Sequence, residues 1–528
     1  MTRAFAPLAF VIALLATPAL AAEAPRFISE TKASGIDQIY GGEEMLFMTG
    51  GGVAAFDCSG DGLPELFFAG GARTSTLYRN QSRKGGALKF KEDWNSGLAL
   101  ERITGAYPLD VDGDGHVDLV LLRIGENILY RGLGECTFKR ANEAWNFDGG
   151  NAWTTAFSAT WEAGNSWPTL AIGNFLERGS ITMGYGDCDD NRIFLPNEIG
   201  DGFAPSLALK PGHCALSMLF SDWNRDGVPD LRISNDMQFY RSGEEQLVQL
   251  TPAGPKLYGR EEGWQKINIW GMGIAAHDVT GDGYPEYYLT NITDNRFEVL
   301  EKGAARPHYR DKAKAFNVVA GRPFAGGDLR PSTGWHAEFG DVNNDGLADL
   351  LVVKGKVEVG GLAADADPNN LLIQQPNGQF KEGAKEAGVL SYLLGRGGSL
   401  VDLNNDGWLD LVVTNRLASA EVWRNDGGGT GNWLRVKLRM AGGNSMGVGC
   451  WVEIKTATGV QRRELTVGGG HAGGQWGWLH FGLGNAETAE VRAQWPDGRW
   501  GPWMKVSANR FAVIEHGADR VSVWIPPR

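Results

Sequence analysis

The chain has 528 residues, of which 75 are Gly, while 42% are hydrophobic, enough apolar material to bury a sizeable core and to exclude a disordered chain. The 19 Trp and 23 Phe fall in many short Gly-bounded runs, which points to strands and turns rather than helices. A net charge of -13 with no offsetting Lys/Arg cluster argues against a nucleic-acid partner. At the N-terminus, Arg3, the apolar run Leu8 to Leu15 and the small-residue pattern Ala19-Leu20-Ala21 read as a signal peptide over residues 1–21. The expectation is a periplasmic or secreted monomer, with no transmembrane segment, because no later run reaches about 18 apolar residues. Five cysteines (Cys58, Cys136, Cys188, Cys214, Cys450) allow two disulfides at most, too few for a disulfide scaffold.

A nine-residue pattern then recurs: acid, x, oxygen-bearing residue, x, Asp, Gly, x, x, acid. It begins at Asp57, Asp110, Asp222, Asp278, Asp341 and Asp402, and a degenerate copy without its acids occupies the double-length gap near Trp161–Leu170. Each copy follows a Gly-rich apolar stretch such as Gly51–Phe56. A β-branched or aromatic run, a third strand such as Glu421–Asn425 and a Phe-led fourth strand such as Phe380–Glu382 come after it. Four short strands per unit predict an all-β fold, a seven-bladed β-propeller over residues 22–430. The last unit lacks its Phe-led strand, and Phe27, Lys32 and Gly35 repeat the spacing of Phe380, Lys385 and Gly388, so residues 26–36 are expected to close the final blade. Beyond Gly431 the acidic repeat stops, and six strand-like runs predict a C-terminal β-sandwich over residues 431–528.

Side-chain oxygens at positions 1, 3, 5 and 9, with a backbone carbonyl at position 7, converge on one point, and hard oxygen donors in a flexible loop suit Ca2+. The expected ligands are Asp57, Ser59, Asp61, Leu63 and Glu65; Asp110, Asp112, Asp114, His116 and Asp118; Asp222, Asn224, Asp226, Val228 and Asp230. The remaining copies offer Asp278, Thr280, Asp282, Tyr284 and Glu286; Asp341, Asn343, Asp345, Leu347 and Asp349; and Asp402, Asn404, Asp406, Trp408 and Asp410. Phe68 and Leu121 stand where an EF-hand would need its twelfth-position Glu, so the flanking elements are expected to be strands. Six Ca2+ ions would cancel about 12 negative charges and act as structural pins.

For chemistry, the propeller axis is the favoured place. Aligning each first strand on its loop puts Gly51, Thr104, Thr155, Leu216, Met272, Trp335 and Arg396 in one column, and a mostly small column (Gly52, Gly105, Ala156, Gly273, Gly397) with Ser217 and His336 beside it. Trp335, His336 and Arg396, with Met272 and Ser217, are candidate ligand-binding residues for a protein, glycan or small anionic partner; the alternative is that they merely plug the channel. No catalytic residue is assigned. The G-x-S-x-G string Gly443–Gly447 lacks the following helix that a nucleophile elbow needs. A lyase, hydrolase or cyclase at the channel mouth is the competing reading. Cys188 and Cys214 flank the fourth strand of the degenerate repeat, where a disulfide would replace the missing ion.

The acidic repeats resemble FG-GAP/VCBS repeats. The tail resembles an ASPIC/UnbV domain in Asn432–Leu438, Gly447-Val448-Gly449, Gly468-Gly469-Gly470, Leu479–Gly484 and Trp495-Pro496-Asp497-Gly498. Together they are similar to the bacterial cartilage acidic protein-like family. The resemblance implies a calcium-binding propeller with a small tail, used for adhesion or binding. The chain departs from the family pattern at its third repeat and at His471–Gln475.

Overall fold

The computed structural model describes residues 22–42, 45–180, 186–236, 243–301, 305–319, 321, 327–357, 363–428 and 431–526. Residues 1–21, on which the export reading rests, lie outside the described residues. Apart from a few single-turn helices, the described chain is β-structure, organised as a β-propeller carrying a sandwich.

Short strands ending in Gly, Asn or Asp turn back on themselves, so each repeat folds as an antiparallel meander. The first runs Val53–Phe56, Glu65–Phe68, Thr76–Asn80, Phe90–Glu92. Five more follow, starting at Ile103–Leu109, Ala152–Thr160, Ala215–Ser221, Ile274–His277 and Gly334–Gly340. In the seventh, Leu394–Val401, Asp410–Arg416 and Glu421–Asn425 are joined by Phe27–Ser29, with Phe27 opposite Asn425 and Ser29 opposite Trp423. The first strand of each meander lies against that of the next, and Leu394–Val401 lies against Val53–Phe56, so the order returns to its start. Threonines stitch neighbours together: the hydroxyls of Thr104, Thr155 and Thr290 donate to the carbonyls of Thr154, Ala215 and Trp335, each at 2.6 Å.

The matching spacing after Phe27 and Phe380 has a local cause. A single helical turn follows each strand (Thr31–Ser34 and Ala384–Ala387), and Gly35 (φ 89°) and Gly388 (φ 81°) end it in the left-handed region. The fifth meander does the same with Ala313–Phe316 and Asn317.

The tail forms two four-stranded sheets. One is Leu479–Gly484, Asn432–Arg439, Arg510–Glu515 and Ser522–Trp524; the other is Gly459–Glu464, Trp451–Thr456, Thr488–Gln494 and Met504–Ser507. Their inner faces alternate apolar residues (Leu434, Val436, Leu438 against Val452, Ile454, Val491, Ala493), as a half-buried sheet must. That core continues without a break into the propeller through Tyr107, Phe157, Trp161 and Trp167.

The degenerate third loop explains this continuity. Where the other copies begin with an acid it buries Trp161, and at position 7 it buries Trp167, which meets Trp145 and Phe203 with ring centroids 5.4 Å apart. Aromatic packing therefore takes the position of a charged loop. The Cys188–Cys214 disulfide closes the same meander. A second bond, Cys58–Cys136, links the first two meanders and was not expected from spacing; Cys450 is buried as a free thiol.

Candidate functional site

Each acidic loop joins the first and second strands of its meander, and all six intact copies repeat one hydrogen-bond scheme. Oδ2 of the position-1 aspartate accepts from the N–H of the position-6 glycine, at 2.8 Å for Asp57 and Gly62 and 2.7 Å for Asp341 and Gly346. Oδ1 of the position-5 aspartate accepts from the position-7 N–H, as in Asp61 to Leu63 and Asp406 to Trp408, both 2.9 Å. Five of the position-9 acids accept from the position-2 N–H, as in Asp118 from Val111 at 2.7 Å; Asp230 instead takes the Trp223 indole N–H at 2.6 Å. The glycine at position 6 is explained by its backbone: φ lies between 84° at Gly62 and 97° at Gly283, where a side chain is strained. Position 4 is left-handed as well (Gly60, Gly113, Arg225, Gly281, Asn344, Asn405), a Gly/Asn preference that the pattern "x" at that position had concealed.

These turns gather more carboxylates than the protein neutralises: Arg131 pairs with Asp112 and Asp114, while Arg435 and Arg462 each reach one aspartate of another loop. In the second loop, ligand oxygens of Asp110, Asp112 and Asp114 lie within 4.8 Å of one another. Oδ1 of Asp110 and of Asp278 are buried without any hydrogen-bond donor, a costly state for a carboxylate oxygen. Burial, reinforced by the neighbouring aspartates, pushes Glu65, Asp118 and Glu286 up to about 8 and Asp406 up to about 7. Asp341, Asp349 and Asp410 rise well above the usual range for the same reason. The donor set is all oxygen, in a loop with left-handed turns at two positions, and suits a hard divalent cation. At position 9, Asp118, Asp349 and Asp410 each also accept from a strand N–H (Gly132, Gln374, Asn425), which braces these three loops to their sheets. Cys58, Glu65 and Cys136 also cluster, but the sulfurs are bonded to each other and are not metal ligands.

Without a bound cation, the raised carboxylates favour their protonated form in the folded state. Their stabilising contribution is present at acidic pH and is lost as pH rises through the folded values. Buried neutral His471 and His480 act oppositely, but only below about 6.5. In excess chelator, the melting temperature is therefore expected to fall steadily from about pH 6.5 to about pH 8.5. Scanning fluorimetry across that window checks this; a flat or rising profile refutes it.

The face that carries the six loops is covered by the sandwich, which touches every one of them. Arg435 Nη1 reaches Asp402 Oδ2 at 2.9 Å, and Arg462 Nη1 reaches Asp278 Oδ2 at 3.3 Å. Ser445 donates to Asp110, and the Asp222 N–H donates to Glu464 at 2.8 Å. His480 Nε2 bonds Asn344 Oδ1 at 2.7 Å, and Trp524 packs on Gly62 beside Asp57. None of these tail partners was identifiable from the sequence.

The axial candidates do converge, but around the chain's own tail. Residues 467–476 run down the axis: Val467 bridges Ala159, Gly468 bridges Leu219, Gly470 bridges Ile274 and Gly473 bridges Ala106. Gln475–Trp476 then adds a parallel strand to the first meander. The column of small residues exists to admit this segment, since a Cβ at Gly52 or Gly105 would stand 1.8 or 2.2 Å from the Ala472 carbonyl oxygen. His471 sits at the centre, buried and neutral. Its Nε2 accepts from the Gly50 N–H at 3.1 Å and its Nδ1 donates to Met272 O at 3.0 Å. Its ring lies 5.0 Å from that of Trp335, and its own N–H donates to His336 Nδ1 at 3.1 Å. Arg396 stacks 4.2 Å over Trp335 and spends its donors on backbone carbonyls including Met48 and Lys356. Trp335, His336, Arg396, Met272 and Ser217 are therefore corrected from an open ligand pocket: all are buried, His471 fills the space beside Met272, Trp335 and His336, Arg396 stacks on Trp335, and Ser217 lies apart from them.

Residues 57–121 match the family described as FG-GAP-like repeat, and residues 440–521 match the family described as ASPIC and UnbV. Over 125 residues the chain is 35% identical to Cartilage acidic protein 1 of Mus musculus and of Homo sapiens. That stretch covers 23% of this chain and 19% of each relative, so the match spans about a fifth of the relatives' length. Among solved structures, the Dos1 propeller is similar at 10% identity and a TM-score of 0.35, over 77% of this chain and 96% of that one. The chain thus carries an FG-GAP repeat and an ASPIC/UnbV domain, a combination that suggests a binding or interaction protein.

Proposed function

We propose that the protein is an exported, seven-bladed propeller loaded with about six Ca2+ ions that works by binding a partner rather than by turning one over. The observation that carries the reading is the orphaned, buried Oδ1 of Asp110, inside a loop whose Asp112 and Asp114 oxygens already converge on it, with a second orphaned Oδ1 at Asp278. A divalent ion supplies the missing partner to these atoms and offsets the repulsion that raises the neighbouring acids. In each loop the side chains at positions 1, 3 and 5 hold the ion, and at Asp118, Asp349 and Asp410 position 9 also ties the loop to its sheet. Each ion then fixes a turn on which the sandwich rests, so metal loading sets the geometry of the face between the two parts.

Two disulfides agree with folding in an oxidising compartment, and among the described residues no helix is long and apolar enough to cross a membrane. The axial residues no longer offer a free ligand pocket, because the chain's own His471 lies among them. Elemental analysis of protein purified without chelator tests the proposal. About six calcium atoms per chain are expected, and a folded, metal-free sample overturns it.

A further inference from the structure

The gap between the loop-bearing face and the sandwich is a cavity of about 650 Å3, within the range of small-molecule sites. Among the described residues, neither of its cations Lys437 and Arg463 has a carboxylate within 4 Å; Asp57 acts on Lys437, and Glu338 and Asp341 act on Arg463, only from farther away. Arg463 is steadied by the carbonyls of His480 (2.9 Å) and Phe339 (3.5 Å), and Lys437 Nζ lies 5.9 Å over the Trp478 ring. Trp476 and Trp478, both half-buried, give the cavity indole surface. His277 lines it too, kept neutral by burial and by Arg463, and Gln475 contributes an amide.

We propose that this cavity binds a small carboxylate-bearing sugar. Carboxylate recognition falls to Arg463 and Lys437, which make no close ion pair in a partly desolvated site. Apolar faces of the sugar ring lie on the indoles, and its hydroxyls meet His277 and Gln475. A wholly apolar ligand would leave both cations buried against it, and a neutral one would forgo their attraction. The inference rests on the binding reading above and gives it a ligand class. Asp57, Asp278, Glu338 and Glu464 also line the cavity; calcium in the loops of the first two offsets negative charge that would oppose an anion, and Glu338 is already engaged by Gln475 and the Leu400 N–H.

Titration calorimetry of the full chain in calcium buffer, with digalacturonate and neutral galactobiose as probes, tests it. Saturable digalacturonate binding is expected, weakened about thirtyfold or more by Lys437→Met or Arg463→Met, with galactobiose weaker by a similar factor. The proposal falls if digalacturonate does not bind, if galactobiose binds equally well, or if neither substitution changes the affinity. Should a variant not fold, quenching of tryptophan fluorescence in the unmodified protein by the two probes decides between the same outcomes. Counting metal in the same samples separates the two readings: a calcium-loaded protein blind to digalacturonate refutes the cavity alone. Anion binding by a metal-free protein refutes the calcium reading alone.

Discussion

Chelation of the purified protein is expected to lower its melting temperature by about 15 °C. Six ions held at a hundredfold excess over their dissociation constants contribute about 2.7 kcal/mol each through linkage. Dividing the total by an unfolding entropy of roughly 2.1 cal/mol/K per residue for a chain of this length gives that shift. The direction follows from the buried carboxylates: once the ions leave, Asp349 faces the charges of Asp341 and Asp345, and Asp410 those of Asp402 and Asp406, in desolvated turns. Re-adding calcium should restore the curve, whereas magnesium should restore less of it, since loops with left-handed turns and carbonyl donors do not impose octahedral geometry. A melting curve that ignores chelator would remove calcium from the account and leave the loops as self-bonded turns.

Arg435→Met is expected to cost about 3–5 kcal/mol, the usual consequence of stranding a buried charge. Arg435 and Asp402 are both buried, their contact is 2.9 Å, and the guanidinium sits over the Phe511 ring at 5.4 Å. Burial lowers the Arg435 pKa, and the largest opposing influence is Asp402, so the two charges depend on each other. Urea unfolding in chelator isolates the pair from ion binding. Asp402→Asn should also destabilise, and the double variant should recover part of the loss, because neither charge is then left alone. An Arg435→Met protein within about 0.5 kcal/mol of the parent would show that the sandwich does not lean on this loop.

The repeat was legible because its chemistry is local. Acids spaced two residues apart around an obligatory glycine specify a turn within nine positions, and Gly62 or Gly407 means the same thing wherever it falls. The closing strand was legible for a similar reason, since Phe27 and Gly35 repeat the offsets of Phe380 and Gly388. The Cys188–Cys214 bond is present as its position in the degenerate repeat suggested. What the sequence could not carry was contact between distant segments. Nothing near His471 announces that Gly50, Met272 and Trp335 surround it, although the run Gly468-Gly469-Gly470 and the small column Gly52, Gly105 and Gly273 are two halves of one fit. The axial column was correctly aligned and its residues do meet. The misreading lay in treating the space between them as open. Likewise Cys58–Cys136 joins separate meanders, a pairing that depends on how neighbouring sheets sit rather than on any local spacing.

The pairing of Phe27–Ser29 with Glu421–Asn425 also fixes an order of assembly. Arg26 and Asp426, which meet at the end of this seam, are 400 positions apart in the chain. During synthesis the first strand therefore emerges long before its partner exists and waits as an unmatched edge. Nor can the axial segment be seated before the circle around it takes shape, because its bridges reach strands in several different meanders. Completion thus needs residues 27–29, 421–425 and 467–476 together, and a deletion of the first strand or of the axial segment should forfeit far more of the molecule than the residues it removes.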